Sequence, residues 1–567
     1  MRKFLPLFVV SILTLAALSC GGPPPSTDTS APASAPTTSS PATTATGDQA
    51  SLQQTPDEGD WIIEHLSAEP ALLNPILDLG DASSQYICNL IFDPLLEVDN
   101  KTLELKPKAA ESWSVSDDHL TYTFVLRKDI KFSDGTPLTA NDYKFTYDLI
   151  KDPKNDTAAT RSYLVDVVSV EVVNDYEIKF TCAKPYFKHV YMLSSIQAMP
   201  RHVYSNGEFN KHPNNRNPIG SGPYKFESWD TGQQITLARN EQYWDKKPQI
   251  LKHVFKIITD DNAAFQVLER GELDTANQIP PDIWVGRANS PQFTQQFTKL
   301  TPQSPIPGYM SRVGYIGWNM RKPQFDDKRV RTALTLLLDR QLILDKVYMG
   351  LGEVVSGDCF PGEPEYDKNI KPLPFDPAAA SKLLEEAGWI DADKDGVRER
   401  NGVRLEFELT FASAVPEYER FATYYQEELT RAGIKMTPRP MEWAAFQERV
   451  QNRTFDACML AWITTPFYDP YQLWHSSQAE KGSNYPGLKN AEVDELMEKA
   501  RVEFDRSKRI PMYHRVQAII QEEQPYTFLF SRYGLVVVSK RFQNVNVYPI
   551  GLDPREWWVP KAMQRYK

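Results

Sequence analysis

The sequence predicts an exported α/β protein with more than one lobe. Helix and strand signals alternate through residues 376–463, as expected for a layered α/β domain. An apolar leader and a polar linker precede residue 59, from which the chain continues to residue 567. A single hydrophobic core stops growing at about 250–300 residues, so this length implies two or three lobes.

Residues 1–20 have the organisation of a signal peptide. Two basic residues follow Met1, residues 4–18 are almost continuously apolar, and Cys20 closes the run. A run of this length is typical of a signal-peptide core and is too short for a membrane-spanning helix. Cys20 resembles the lipidated cysteine of bacterial lipoproteins, although Ala17 stands where their motif prefers Leu. The alternative is ordinary secretion with cleavage nearby.

Residues 21–58 form a linker rich in Ser, Thr, Pro and Ala. They contain one Leu and no Ile, Val, Met or aromatic residue, so they have no side chains with which to form a core. A flexible coil of this length spans on the order of 30–40 Å. Cys20 and the linker therefore predict a cell-envelope lipoprotein, periplasmic or on the outer face of the cytoplasmic membrane, whose folded part faces solutes.

The composition excludes some kinds of partner. The chain carries a formal net charge of −11, which argues against nucleic acid and anionic lipid surfaces. No second apolar stretch of membrane-spanning length follows the leader, so we expect membrane contact only through the N-terminal lipid. An exported compartment permits one or two disulfides among Cys88, Cys182, Cys359 and Cys458.

The clearest secondary-structure signals lie in the second half of the chain. Asp376 and Pro377 predict a helix start, and Gly388 predicts the end of that helix. Residues 405–411 alternate with a period of two, which predicts a half-buried strand. Similar signals predict helices over 416–432 and 442–451 and strands over 120–126, 235–237, 434–438 and 457–463.

Three segments far apart in the chain carry motifs. Residues 132–142 read FSDGTPLTAND, in which Asp134 and Gly135 predict a turn, and Thr139 with Asp142 predicts a helix capping box. A second segment reads NPIGSGPYKF, and a third contains GWN, FDD, RVRTAL and DR in that order. Turn glycines and cap residues most often serve the fold, so we expect them to be architectural.

Together and in this order, the three segments resemble the solute-binding protein family 5 of ABC importers, which includes the dipeptide and oligopeptide receptors. The resemblance extends from about Trp61 to about Tyr548. It implies a two-lobe, hinged periplasmic-binding-protein fold of class II, with an extra domain inserted in the first lobe and crossing strands near 312–319 and 530–538. The division implied is lobe I in 59–95, 220–318 and 535–567, the extra domain in 96–219, and lobe II in 319–534.

A ligand pocket is expected between the lobes. Ligands of open α/β sheets bind beyond the carboxyl ends of strands, and Trp462 lies near the end of the predicted strand 457–463. Trp443 opens the preceding helix, and the pair resembles the two tryptophans that line the pocket of oligopeptide receptors. An indole offers a flat apolar wall and one donor, which suits varied ligand side chains. The alternative is that both residues belong to the core of the lobe.

Thr465 marks the main departure from the peptide receptors. Their aspartate three residues after the tryptophan pairs with the ligand's α-ammonium, and Thr465 occupies that position here. We expect Asp469, in the loop that follows, either to replace this acid or to cap the helix after Pro470. Recognition through an N-terminal anchor is therefore an open question, whereas an extended, neutral or blocked ligand is compatible with the sequence.

The expected function is the capture of a peptide or peptide-like solute by a monomer without a cofactor. The partners implied are an ABC permease and its ATPase subunits. A non-peptide solute, such as an oligosaccharide or a metal chelate, is the alternative on the same fold. Asp391, Asp393 and Asp395 match the start of a calcium loop, but Gly402 stands where the bidentate Glu belongs, so a solvated turn is the simpler interpretation.

The sequence gives no sign of an active site. It lacks the Gly-x-Ser-x-Gly, His-Glu-x-x-His and phosphate-loop motifs, and its eight histidines are scattered. We therefore do not expect an enzyme. A cell-envelope hydrolase without a local signature is the less favoured alternative.

Overall fold

The structure is a computed structural model that describes residues 55–78, 82–277, 279–302, 311–464 and 467–566. The leader with Cys20, the linker as far as residue 54, and Thr465 lie outside these ranges.

Two large sheets dominate the described part of the chain. The seven-stranded sheet contains, in spatial order, Phe297–Leu300, Val536–Ser539, Thr275–Ala276, Trp61–Leu66, Lys252–Ile257, Gln234–Arg239 and Tyr224–Asp230. The six-stranded sheet contains, in spatial order, Gly352–Val354, Tyr526–Arg532, Ser311–Trp318, Ala457–Thr464, Glu406–Ala412 and Lys435–Met441. Both sheets mix parallel and antiparallel pairs.

Smaller strands form a third sheet and three ribbons. The four-stranded antiparallel sheet contains, in spatial order, Ala110–Val115, Thr121–Leu126, Glu177–Cys182 and Val167–Asn174. The ribbons pair Leu96–Val98 with Leu105–Pro107, Glu399–Arg400 with Val403–Arg404, and Val547–Tyr548 with Gly551–Leu552.

Helices connect the strands and cover the sheets. The α-helices are Ala82–Ile91, Ala140–Lys151, Ala158–Tyr163, His189–Ser194, Arg201–Tyr204, Asp261–Glu269, Pro281–Val285, Pro291–Gln296, Lys328–Leu336, Arg340–Val347, Pro377–Glu386, Pro416–Arg431, Trp443–Gln451, Tyr471–Trp474, Ala491–Val502 and Arg506–Glu523. Short 3₁₀ turns occur at Phe209–Lys211, Pro213–Asn215, Arg287–Asn289, Ser476–Gln478, Pro554–Glu556 and Lys561–Met563.

The six-stranded sheet is buried on both faces. One face packs against a core that includes Leu334, Leu384 and Phe421 from three different helices. The other face packs against Val493 and Val516 from the two helices near the carboxyl terminus. Helices on both faces of a mixed sheet are the arrangement predicted by the alternating signals.

The chain passes between the two large sheets twice. It crosses between Phe297–Leu300 and Ser311–Trp318, and again between Tyr526–Arg532 and Val536–Ser539. Ser311–Trp318 belongs to the six-stranded sheet, because it pairs along its whole length with Ala457–Thr464, whereas the division expected from the sequence assigned it to lobe I. The first crossing therefore precedes residue 311, and the division of the chain into lobes stays a prediction.

The local signals predicted the elements of residues 376–464 closely. Helix Pro377–Glu386 begins where the side chain of Asp376 accepts a hydrogen bond from the Ala379 N–H, at 2.9 Å. Gly388 follows its end with φ +82°, a conformation that glycine adopts without strain. The predicted strands and helices after it are confirmed within one to three residues at each end.

The motif residues support the fold. The Thr139 N–H donates to the Asp142 carboxylate at 2.9 Å, as the capping box predicts, and helix Ala140–Lys151 follows. Gly222 is required by a close approach: its N–H donates to the Ile91 carbonyl at 2.7 Å, and a Cβ there would lie 2.6 Å from the Ile91 carbonyl carbon.

The cysteines after the leader are all buried. Cys182, Cys359 and Cys458 are free thiols, and Cys88 lies in the same hydrophobic core as Cys182. The disulfides that an exported compartment would permit are not formed among these four residues.

Candidate functional site

The edge of the six-stranded sheet that faces the seven-stranded sheet gathers several strand ends. Strands Glu406–Ala412, Lys435–Met441 and Ala457–Thr464 run parallel, so their carboxyl ends share one edge. Tyr526–Arg532 ends at the same edge and Ser311–Trp318 begins there, because both pairings of Ser311–Trp318 are antiparallel. Both crossings leave from this edge, which we call the cleft edge.

Trp462 lies near the cleft edge and is half-buried. Its indole is stacked with the rings of Tyr315 and Tyr485, at centroid distances of 5.9 and 5.8 Å and interplanar angles of 14° and 11°. The indole N–H donates to the Tyr526 hydroxyl at 3.4 Å. These contacts fix the ring orientation, so Trp462 combines packing in the sheet with a partly exposed aromatic surface.

Trp443 is the first residue of helix Trp443–Gln451 and is 48% exposed. Its ring lies 5.8 Å from Phe446, one turn further along the helix. A side chain this exposed is not part of the core, and a single exposed aromatic residue does not by itself indicate a binding surface. The core alternative for Trp443 is therefore wrong, while its contact with a ligand stays a prediction.

Asp469 is buried, and both of its carboxylate oxygens are used within the protein. Oδ1 accepts from the Tyr471 N–H at 3.2 Å, which caps helix Tyr471–Trp474. Oδ2 accepts from Arg501 Nε at 3.0 Å and from the Tyr186 hydroxyl. Burial alone would raise the pKa of Asp469, but Arg501 and Lys188 outweigh burial and hold this pKa below its ordinary value.

The structure supports one of the two roles predicted for Asp469, the helix cap, and does not test the other, the ligand anchor. The cap is present, and the carboxylate is an ion-pair partner of Arg501. Its use as an anchor for a ligand ammonium stays a prediction, and the saturated hydrogen bonds count against it. Thr465 lies outside the described residues, so its predicted place in the pocket stays a prediction as well.

The loop that contains the buried acids Asp358, Glu363 and Glu365, which we call the acidic loop, accepts hydrogen bonds from residues 467–474. The sequence analysis did not predict these contacts. Glu363 accepts from the Phe467 N–H at 3.1 Å, and Asp358 accepts from the Tyr468 hydroxyl at 2.9 Å and the Trp474 indole N–H at 3.3 Å. Burial raises the pKa of Asp358 to about 6. Burial raises the pKa of Glu363 to about 7, with a smaller contribution from the negative charge of the neighbouring Glu365.

The same segment touches the part of the chain that carries the four-stranded sheet. The rings of Tyr191 and Phe467 stack at 5.1 Å with an interplanar angle of 14°, and Phe467 is 2% exposed. The Phe187 N–H donates to the Arg501 carbonyl at 2.9 Å. These contacts join the part of the chain with the four-stranded sheet to the part with the six-stranded sheet.

A small pocket of about 30 Å³ lies beside these contacts, near the four-stranded sheet. Its walls are mainly apolar and include Met192, the neighbour of Tyr191. Thr160 Oγ1 and Gln197 Oε1 line it and are buried without a hydrogen-bond partner among the described residues. Pockets that bind small ligands are usually about 300–1,000 Å³, so this space suits one or two water molecules rather than a solute.

The candidate calcium loop is an exposed turn. Carboxylate oxygens of Asp391, Asp393 and Asp395 lie within 4.8 Å of one another. Asp391 accepts from the Gly396 N–H at 3.1 Å, and Arg404 pairs with Asp395. The acids thus stabilise the turn, and calcium binding stays a prediction.

Cys20, the predicted lipidation site, lies outside the described residues. Within the described ranges, no helix has the length and apolar character needed to cross a membrane.

Comparisons with known proteins identify the family. A family model described as "Bacterial extracellular solute-binding proteins, family 5 Middle" matches residues 104–484. This chain belongs to that family. The resemblance seen in its three motif segments is thereby confirmed.

Relatives and solved structures of family 5 cover most of the chain. "Oligopeptide-binding protein AppA" of Bacillus subtilis (strain 168) is 34% identical over 523 residues, which cover 89% of this chain and 93% of the relative. The structure of that protein in complex with a nonapeptide matches with 32% identity and a TM-score of 0.73, and covers 89% of this chain and 100% of the other. NikZ from Campylobacter jejuni in complex with Ni(L-His) matches with 27% identity and a TM-score of 0.72, and covers 88% and 99%. The predicted two-lobe α/β fold is confirmed.

Proposed function

We propose that this protein is the solute-binding receptor of an ABC importer and that it captures a peptide or peptide-like solute between its two lobes. The observation that carries the proposal is the 34% identity to an oligopeptide-binding protein across 89% of the chain. Membership of a solute-binding family supports binding rather than catalysis. The solute would then be released to a permease driven by its ATPase subunits.

The geometry of the cleft edge supports this function. The exposed Trp443 and the half-buried Trp462 supply aromatic surface near strand ends, where ligands of α/β sheets bind. Because the charge of Asp469 is already paired, we infer that an extended solute is held mainly by backbone hydrogen bonds and aromatic walls, with Thr465 nearby. The ammonium contact would be secondary.

A metal chelate is the second candidate solute. It is favoured by one specific likeness, that to NikZ in complex with Ni(L-His), at 27% identity. The peptide is the better supported solute because the relative with an oligopeptide name is more similar to this chain.

The N-terminal residues suggest where the receptor is located. We infer that Cys20 is lipidated and that residues 21–58 tether a monomeric receptor to the cell envelope, outside the cytoplasm. Lobe I would comprise the seven-stranded sheet, lobe II the six-stranded sheet, and the extra domain the four-stranded sheet with its helices.

Mass spectrometry of the bound solute tests the proposed function. The full exported chain is purified without denaturation, and its solutes are identified by native mass spectrometry, before and after incubation with a mixture of peptides of four to nine residues. We expect retained peptides. The Trp443→Ala variant should retain at least about tenfold less, which corresponds to about 1.4 kcal/mol.

Tyr424→Ala is the matched control, because Tyr424 is also an exposed aromatic residue, 41% exposed on helix Pro416–Arg431. Its retention should equal that of the unmodified protein. Retention of a metal chelate or a sugar, with no peptide retained from the mixture, would contradict the peptide proposal.

A further inference from the structure

The four-stranded sheet is joined by the chain to one large sheet and touches the part of the fold that contains the other. In chain order it lies between Trp61–Leu66 and Tyr224–Asp230, which both belong to the seven-stranded sheet. Its contacts with residues 467–509, which pack with the six-stranded sheet, are therefore non-covalent and independent of the two crossings. Separation at these contacts would leave both crossings intact.

Aromatic rings supply the apolar part of this contact. The rings of His119 and Phe504 stack with their centres 3.6 Å apart and an interplanar angle of 9°, in addition to the stack of Tyr191 on Phe467. Among the described residues, Phe467 is the only buried residue after Phe255 in the hydrophobic core around the four-stranded sheet, and Phe504 packs at its margin. Domains move relative to each other unless their interface is large and hydrophobic, so this contact favours motion.

Arg501 lies at the centre of the contact. Its guanidinium lies over the rings of Tyr186 and Tyr471, 4.6 and 3.8 Å from their centres. Its Nε donates to Asp469 at 3.0 Å, and the Tyr186 hydroxyl donates to the same carboxylate oxygen. Its backbone carbonyl accepts from the Phe187 N–H at 2.9 Å. One arginine thus connects the loop that contains Asp469 to two consecutive residues near the four-stranded sheet.

The charged groups at this contact indicate that it is not permanent. The side chains of Asp469 and Arg501 are 4% and 27% exposed, and Lys188 lies near both, because their charges act on its pKa, which burial lowers. Permanent interfaces are mainly apolar at their centre, since removing charges from water is costly. The ion pair of Asp469 with Arg501 lies wholly on one side, so it stays formed when the two sides separate.

The contact also lies close to the expected solute site along the chain. Phe467 and Asp469 follow strand Ala457–Thr464, which carries Trp462 near the cleft edge. Contacts that hold residues 467–471 therefore restrict the segment of chain that leaves the cleft edge.

We propose that Tyr186 and Arg501 form a latch, in which the part of the chain with the four-stranded sheet engages residues 467–471 when a solute is held and slows the release of the solute without touching it. The inference rests on the proposed capture of a peptide-like solute between two lobes. Arg501 is then a positioning residue, because it holds Asp469 and presents its carbonyl to Phe187. Solute and latch stabilise the same closed arrangement, so each strengthens the other.

The rate of solute release tests the latch on the full exported chain. The probe is the peptide mixture that tests the proposed function, labelled with a heavy isotope. Excess unlabelled mixture is added after loading, and the heavy peptide that stays bound is measured by native mass spectrometry over time.

Tyr186→Phe removes the hydroxyl that donates to Asp469 and keeps the ring beside Arg501. We expect this variant to release the peptides at least about tenfold faster, because a hydrogen bond to a carboxylate is charge-assisted and differences in retention lie mostly in the release rate. A lower thermal midpoint with an unchanged release rate would show a purely structural role and overturn the latch.

Tyr548→Phe is the matched control, because the Tyr548 hydroxyl also donates to a carboxylate, that of Glu556, eight residues further along the chain. It should release the peptides at the rate of the unmodified protein. Equally fast release from both variants would show a general loss of stability and overturn the latch.

A disulfide trap tests whether the contact forms together with solute binding. His119→Cys combined with Phe504→Cys places one thiol on each side of the contact, and the native cysteines of the described residues are buried. We expect the disulfide to form at least about tenfold faster with the peptide mixture than without it, because the solute raises the population of the closed arrangement. The oxidised protein should then retain its peptides until a reductant is added. Equal rates with and without peptides would show a permanent interface and overturn the latch.

Two failures are distinguishable. Peptides that are retained by the unmodified protein and released at the same rate by Tyr186→Phe overturn the latch and leave the proposed function standing. Retention of no peptide by the unmodified protein contradicts the capture of peptides itself, and the latch falls with it.

Discussion

Asp469 shows how a charged residue can be conspicuous in the sequence and still be committed to the fold. Its carboxylate caps a short helix and pairs with Arg501, whose guanidinium also stacks on the rings of Tyr186 and Tyr471 at 4.6 and 3.8 Å. A buried charge left without its partner costs several kcal/mol. The residue is thus better explained by structure than by ligand binding.

We predict that Asp469→Asn destabilises the protein by about 3 kcal/mol at pH 7, because Arg501 loses its counter-charge. The measurement is the urea unfolding midpoint. The same variant should change the affinity ratio of a free and an N-acetylated peptide by less than about tenfold.

Asp395→Asn is the control for Asp469→Asn, because it disrupts an exposed pair with Arg404 and should leave the midpoint unchanged. An unchanged midpoint in Asp469→Asn, together with loss of binding for the free peptide alone, would show that Asp469 anchors the ligand.

Local rules predicted only part of the environment of Asp469. The cap onto Tyr471 lies two residues away and follows from the sequence. Tyr186 and Arg501 lie 283 and 32 residues away, and a single sequence contains no signal that brings them together.

At the scale of elements, local chemistry predicted residues 376–464 well. Cap residues, proline, glycine and side-chain periodicity all act within one or two turns, and helix Pro377–Glu386 and strand Glu406–Ala412 follow from them. The acidic loop around Glu363 lacks such signals. Its role depends on burial against Phe467, about a hundred residues later in the chain.

This loop predicts a pH dependence of stability. The pKa of Glu363 is about 7 in the folded protein, raised from 4.5 by burial and by Glu365. Between these values the folded state holds a proton that the unfolded chain has released. The contribution is therefore complete below about pH 4.5 and is lost as the pH rises through about 7.

Glu363→Gln should remove that loss, because the amide stays neutral and its oxygen still accepts from the Phe467 N–H. We expect the variant to gain stability relative to the unmodified protein, on the order of 2 kcal/mol, between pH 5 and pH 8. Urea unfolding at several pH values measures this gain.

Glu365→Gln is the contrasting variant, because it disrupts the pair of 2.6 Å contacts with Arg506 and should lower stability at neutral pH. Parallel stability curves for Glu363→Gln and the unmodified protein would contradict the assigned titration.

At the scale of the whole molecule, the sequence predicted the fold class but not every sheet assignment. The motifs pointed to two lobes, which the fold and the family membership confirm. Ser311–Trp318 entered the six-stranded sheet because pairing between distant strands decides sheet membership. Periodicity identifies a strand and does not name its neighbours.

Membrane anchoring of the whole chain is predicted to depend on Cys20. Cys20→Ala should move the protein from the membrane fraction to the soluble exported fraction, because a single cysteine carries the proposed anchor. Fractionation followed by immunoblotting measures this shift. Ser19→Thr is a mild control that keeps Cys20 and should leave the protein anchored. A Cys20→Ala protein that stays with the membrane would place the anchor elsewhere.

Closure of the two lobes on a solute is the central claim. The contacts of Tyr191 with Phe467 and of Phe187 with Arg501 join the part of the chain with the four-stranded sheet to the part with the six-stranded sheet. Small-angle scattering of the full exported chain, with and without a peptide whose saturating binding calorimetry has confirmed, tests the claim most directly. We predict a smaller radius of gyration with peptide bound. An unchanged scattering profile at confirmed saturation would contradict closure.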